Sequence, residues 1–351
     1  MPRKVKPTKL LTRQRSYFLL ETLIIFLGIF LFSLILLFFS YLELNYIVYG
    51  ILFYFLRAII LILAVSIFLY VANFAIEKRR ALFISESERS ATINFLNLFR
   101  IKKSNIKYQI LYGFLFLFIL FIPLDFLTYL LIPEMLSYSK NVLLVSVTNY
   151  YFKDTYFIFL LTLLISQFFI AVYEESLTRG FLTNRGSDYV NPMSAVIISS
   201  FYFGLGHFSY VMNPAAKGLP IVFPFIWFVE AFFIGIVLSL FILKKHWIFP
   251  IILAHFLNNV ISGHTIWNYI QGNDFMNMVF YIYIPMLIIG VILFIWQFSR
   301  IKDAIKMGLR EFRQYFRNDE RIKEETDHKI IRILLDFLFG LFIFIIGFFL
   351  L

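Results

Sequence analysis

The sequence predicts an all-α polytopic membrane protein of about nine transmembrane helices, and three observations predict it. Of 351 residues, 61% are apolar and only 15% charged, where a soluble domain carries roughly a quarter charged. Apolar runs recur along the whole chain, and ~20 residues suffice for one span. The runs lack the alternating polarity of membrane strands, which excludes a β-barrel. The same composition excludes a soluble globule and a disordered chain. The chain has no cysteine, so disulfides, zinc fingers, iron–sulfur clusters and thiol nucleophiles are excluded as well.

Within lipid the backbone must satisfy its own hydrogen bonds, so each run is expected to be a helix. Residues 17–41, 46–76 and 109–132 form three N-terminal spans, within a segment 17–132 that includes a polar loop, 77–108. Residues 155–184, 192–211, 221–243 and 248–262 form a core, 155–262, and spans 278–298 and 333–351 follow it. Tyr17, Tyr41 and Tyr46 sit at run ends, where interfacial aromatic anchors belong. Residues 1–16 form a basic tail. Their basic-then-apolar order resembles a signal peptide, but the run is long and lacks a small-residue cleavage site, so it reads as an uncleaved anchor. In the basic segment 299–330, Ile301, Ile305, Leu309, Phe312 and Phe316 share one helical face, the pattern of an amphipathic helix lying on the membrane surface.

Net charge is +11, and its placement orients the chain. Residues 1–16, 77–108 and 299–332, with Arg179, Arg185, Lys244 and Lys245, hold 28 of the 32 Lys and Arg. The opposite loops hold Lys140, Lys153 and Lys217, and Arg57 lies inside a span. Positive charge favours the cytoplasmic side. The N-terminus is therefore expected in the cytoplasm and the C-terminus outside, with the basic excess facing anionic inner-leaflet lipid. Short loops and this bias suggest a bacterial plasma membrane. No soluble domain is left over to bind nucleic acid.

A charged side chain at bilayer depth costs roughly 2.5–3.5 kcal/mol on the lenient scale, so each needs a reason. Glu174 and Glu175 are adjacent on one helix and point about 100° apart, into different environments. Glu175 and Arg179 are four apart and can pair, leaving Glu174 free to face a cavity. Counted from the turn at 186–191, Glu174 and His207 lie about 18 and 24 Å up their helices. Counted from the turn at 244–247, His255 and Asn259 lie about 12 and 18 Å up. Four groups from three helices thus meet near mid-membrane. A glutamate with raised basicity can activate water, imidazoles can hold that water or a metal, and an amide can donate to an oxyanion. Glu174, His207 and His255 are also a zinc-type ligand set, so one divalent metal and a metal-free site both remain open. Glu230, at similar depth, and Phe203 are expected to line the cavity. Arg57 and Asp125 lie in consecutive spans at similar depth and are expected to form a structural ion pair.

These residues carry a recognisable pattern. Glu174-Glu175-x-x-x-Arg179, Phe203-x-x-x-His207 and His255-x-x-x-Asn259 occur in order in successive apolar helices. They resemble the three motifs of the CPBP family, the CAAX proteases and bacteriocin-processing enzymes also called Abi. The resemblance implies an intramembrane endopeptidase in which Glu174 activates water, His207, His255 and Asn259 hold the water and the oxyanion, and Glu175 and Arg179 support them. The implied partner is a membrane-associated peptide of leader, signalling or prenyl-peptide-like type. The rival readings are a non-proteolytic scaffold of the same family that binds a sensor kinase or cell-envelope enzyme or confers bacteriocin self-immunity, and a transporter with a proton relay. A transporter calls for paired half-repeats or broken helices, and the sequence shows neither.

Overall fold

The computed structural model describes residues 7–42, 44–80, 90–213, 218–318 and 324–351. Lys217, residues 1–6 of the basic tail, residues 81–89 of the polar loop and residues 319–323 of the amphipathic segment lie outside them. Among the described residues there is no strand. The N-terminal elements are α1 (Pro7–Ser40), α2 (Tyr46–Arg80), α3 (Ala91–Asn97), α4 (Ile106–Phe116), α5 (Ile122–Leu131) and α6 (Glu134–Leu143). The core is α7 (Tyr156–Glu175), α8 (Asn184–Tyr189), α9 (Pro192–Phe208), α10 (Val222–Lys245) and α11 (Phe249–Ile270). Then follow α12 (Phe275–Met278), α13 (Ile284–Trp296), α14 (Phe298–Tyr315) and α15 (Thr326–Leu350).

Among the described residues, eight helical stretches are long and apolar enough to cross a membrane by themselves. The ninth expected span, α11, runs 22 residues, well past the apolar run that signals it. It falls short on composition because it carries His255, Asn258, Asn259, His264 and Asn268. The helix poorest as a lipid span is the one that delivers polar groups to the interior.

Among the described residues, three spans are interrupted by π-helical turns. Leu117–Phe121 joins α4 to α5, and Val279–Tyr283 joins α12 to α13. Each lies just before a proline, Pro123 or Pro285. A proline cannot donate the helical hydrogen bond and its ring crowds the preceding turn, so a wider turn there relieves both. The third, Ser176–Thr183, follows Glu175 directly and has no proline to cause it. Close packing binds the spans: a Cβ on Gly290 would lie 2.6 Å from the carbonyl oxygen of Phe118, and one on Gly235 2.9 Å from the Cβ of Ser200.

The basic end of the bundle differs from expectation. Helix α1 starts ten residues before its apolar run, and it carries Arg15 inward. Arg15 is 1% exposed and pairs with Asp336 of α15 at 2.5 Å. Asp336 also accepts from the Tyr315 hydroxyl at 2.8 Å. Burial, and then the Asp336 charge, raises the Tyr315 pKa, so the phenol stays a donor. Arg332 pairs with Glu324 at 2.9 Å and donates to the Tyr315 carbonyl at 2.7 Å. Arg185 pairs with Glu21 of α1 at 2.6 Å. Part of the basic excess therefore staples α1, α8, α14 and α15 together instead of facing lipid. The described end of the polar loop carries a helix that its sequence does not announce. Ser90 caps α3, which buries Phe95, and a Cβ on Gly180 would lie 3.0 Å from the Phe95 ring. Along α14, Ile305, Leu309, Phe312 and Phe316 stay exposed on the amphipathic face while Tyr315 is buried.

Arg57 and Asp125 do not pair. Helix α2 packs on α1 and α7, whereas α5 packs against α6 and α13. Consecutive spans in sequence are not neighbours in space here. Arg57 lies over the Tyr173 ring, and Asp125 accepts from the Tyr283 hydroxyl at 3.5 Å.

Removing one partner of a buried ion pair strands the other charge, at a cost of about 3–5 kcal/mol, while replacing both by apolar groups costs far less. Asp336→Asn should lower the thermal midpoint of the detergent-solubilised protein sharply. The double variant Arg15→Met, Asp336→Leu should recover most of that loss.

Candidate active site

Helix α7 delivers two carboxylates to opposite roles. The Glu175 side chain is fully buried, whereas that of Glu174 is 33% exposed. Glu175 Oε1 accepts from His255 Nδ1 at 2.6 Å and from Arg179 Nη1 at 3.2 Å. Arg179 Nη1 also donates to Thr178 Oγ1 at 2.7 Å, and its guanidinium lies 4.1 Å above the Phe203 ring. Arg179 Nε and Nη2 are buried with no hydrogen-bond partner. That aromatic face is part of what offsets the desolvation of the cation. The wider turn over 176–183 begins between the two members of the Glu175–Arg179 pair, and π turns inside helices concentrate at functional sites.

The histidines are oriented through the same nitrogen. A carboxylate only accepts, so His255 Nδ1 carries the proton it gives to Glu175, and Nε2 faces Glu174 Oε2 at 3.7 Å. His207 Nδ1 donates to the Phe203 carbonyl at 3.1 Å, leaving Nε2 uncommitted. The Phe121 ring stacks on His255 with centroids 6.1 Å apart, and the Phe203 ring meets His207 edge-on at 4.7 Å. Both imidazoles are thus fixed in plane and in tautomer by their surroundings.

Glu174, Glu175, His207, His255 and Asn259 all line one cavity of about 250 Å³, brought there by α7, α9 and α11. Phe203 and Glu230 line it too, and so does Asp125. Glu230 accepts from the Thr128 hydroxyl, and Tyr129 and Ser262 hydroxyls pair at 2.9 Å nearby. Arg179 is excluded from the wall and acts through Glu175. Arg57 belongs to a second cavity.

Sequence reasoning missed Gln167. It lies two helical turns before Glu174 on α7, lines the cavity, and accepts from Asn259 Nδ2 at 3.0 Å. An intramembrane amide seven residues from a catalytic candidate was a visible signal. Tyr54 of α2 and Tyr210 after α9 also line the cavity, with nothing in their spacing to mark them. His264, within α11, bonds the Tyr156 hydroxyl at 3.3 Å.

Among the described residues, the group of three His, Asp or Glu whose ligand atoms lie within 4.8 Å of one another is Glu325, Asp327 and His328, at the start of α15. Glu174, His207 and His255 do not close to that spacing. The arrangement of Glu174, His255 and Asn259 suits a water molecule with a base on one side and an amide donor on the other.

Residues 156–261, less than a third of the chain, match the family model described as Rce1-like, type II CAAX prenyl endopeptidase. That family is a protease family within the CAAX and CPBP group, and the matched segment contains all three motifs. No curated protein and no solved structure matches the chain.

The two glutamates should separate by stability. Glu175→Leu leaves Arg179 buried without its counter-charge and should cost about 3–5 kcal/mol. Glu174→Gln removes a partly exposed carboxylate and should cost about 1 kcal/mol or less. Thermal unfolding of both variants in one detergent measures the contrast.

Proposed function

We propose that the chain is an intramembrane endopeptidase of the CAAX type that cuts a membrane-associated peptide with a water molecule activated by Glu174. The observation that carries this reading is the Glu174–His255–Glu175 relay, with His255 Nε2 at 3.7 Å from one carboxylate and Nδ1 at 2.6 Å from the other. Glu174 takes a proton from water as the water oxygen bonds to the scissile carbonyl carbon. His255 Nε2, an acceptor in this tautomer, can hold the water beside Glu174, and the Asn259 amide can donate to the developing oxyanion, with His207 on the same cavity wall. Collapse of the tetrahedral intermediate breaks the C–N bond, and Glu174 returns its proton to the leaving amine. Gln167 holds Asn259, and Glu175 holds His255, so neither side chain must reorganise during the reaction.

A divalent metal on Glu174, His207 and His255 is the other chemistry this donor set permits; bound there, it would polarise the carbonyl and acidify the water. The exposed apolar face of α14, flanked by Arg300, Lys302, Lys306, Arg310 and Arg313, supports its lying on an anionic inner leaflet of a bacterial plasma membrane.

A peptide inventory by mass spectrometry should show a cleavage product in cells with the wild-type protein that is lost with Glu174→Gln and in the null. General-base removal should slow purified enzyme by about 10²–10⁴-fold. A product retained by the variant would make the protein a scaffold. Activity that survives exhaustive chelation supports the metal-free site; activity lost and restored by zinc replaces it with the metal. The native chain lacks cysteine, so single cysteines report topology cleanly. An impermeant maleimide should label Lys153→Cys in intact cells and spare Lys103→Cys; the reverse result inverts the orientation.

A further inference from the structure

A second cavity, of about 270 Å³, abuts the first, and Glu174, Phe203, His207 and Tyr210 line both. The two share a position along the bundle as well as a wall. Helices α9, α11 and α15 start at the basic end, and α10 finishes there. From α9 the walls take only residues 202–207, and from α15 only residues 344–348. Helix α10 runs the other way and gives residues 227–234, from its first half. Leu143, Asn149 and Phe152 join them from the connection between α6 and α7, at the far end. The turns at the basic end, 98–105, 190–191 and 246–248, line neither cavity.

Packing accounts for the asymmetry. Residues 193–200 of α9 are buried without a break, and so is the wider turn Ser176–Thr183. The Thr183 and Ser239 hydroxyls pair at 3.0 Å, and Ser199 donates to the Thr178 carbonyl at 2.7 Å. A Cβ on Gly180 would lie 3.0 Å from the Phe95 ring and 3.3 Å from the Ile248 side chain. The Arg185–Glu21 pair lies in the same half. The opposite half is looser. Gly206 is exposed in the last turn of α9, and a Cβ there would meet nothing within 4 Å. Glycine weakens a helix, so a position with no packing need for it is explained by keeping the second cavity clear. Phe348, on the same cavity wall at the end of α15, is exposed as well.

We propose that peptide and water reach Glu174 from the membrane face opposite the basic ends. The charge bias makes that the outer face. The substrate class is then a peptide segment presented outside the cytoplasm and unwound where it is cut, because a helix keeps its carbonyls in its own hydrogen bonds. The word substrate rests on the peptidase reading; the entrance does not.

The test uses the full chain, which has no native cysteine, in intact cells and in inverted membrane vesicles. Ser262→Cys and Ile170→Cys place single thiols in the first cavity, on separate helices. Lys153→Cys and Lys103→Cys are references for the two faces, and Ser239→Cys reports the packed half. Each is treated with an impermeant cationic methanethiosulfonate, then denatured and tagged with polyethylene-glycol maleimide, so that a blocked thiol loses its gel shift. Both cavity cysteines should lose the shift in the preparation where Lys153→Cys does, and keep it where only Lys103→Cys loses it. Ser239→Cys should keep it in both. Agreement between the two cavity sites guards against local misfolding of either variant. Reaction that follows Lys103→Cys, that occurs from both faces, or that is absent from both overturns the proposal. References that place Lys153→Cys in the cytoplasm overturn the outer-face substrate, as does a cleavage product that comes from a cytoplasmic segment. An entrance labelled as expected in a protein that cuts nothing sinks the peptidase reading and leaves the entrance standing.

Discussion

Glu175 buries its carboxylate between an imidazole and a guanidinium, and the neighbouring groups are arranged around it. Its carboxylate is fully buried, with His255 on one side at 2.6 Å and Arg179 on the other at 3.2 Å. Neither partner alone would offset the desolvation of the charge. Together they tie α11 to α7 and hold α7 to its own wider turn. The arginine in turn is covered by Phe203, which is four residues before His207 and touches its ring. One buried carboxylate thereby sets the position of both imidazoles, although it contacts only one of them.

Lipid is what makes such a hub affordable to read and expensive to build. Spans are driven to pack by small residues and close backbone approach, as at Gly290 against Phe118 and Gly235 against Ser200. Polar groups in the spans must then find one another or line a wet cavity. Helix α11 illustrates the trade: five His and Asn side chains cost it its fitness as a lipid-facing helix, and three of them, His255, Asn258 and Asn259, line the cavity. The stability of that helix comes from its neighbours α4 and α7, against which it packs.

This constraint also explains what was legible in the chain. Spans are countable because apolar length is set by bilayer thickness, and depth is countable because a helix rises by a fixed amount per residue. Glu174, His207, His255 and Asn259 could therefore be placed together from three helices without any structure. What could not be counted was lateral neighbourhood. Arg57 and Asp125 share a depth and consecutive spans, but α7 takes the place beside α2 that the ion pair required. Helix ends were equally hidden. Arg15 reads as tail because it precedes the apolar run, yet a helix can extend beyond its lipid-facing part and turn its charge inward to Asp336. Gln167 was overlooked for a simpler reason, since an uncharged amide raises no alarm in a hydropathy pattern.

The arginines mark the division of labour within the fold. At the basic end they are paired, buried and remote from the cavities, and they join the first and last spans to the core. Around Glu175 the paired arginine buttresses a buried carboxylate without lining the cavity itself. Arg57, by contrast, lies in a span and on a cavity wall, held by the Tyr173 ring and the main-chain oxygen of Leu351. That cavity shares Glu174, Phe203, His207 and Tyr210 with the first, so spans outside the matched core border the candidate site.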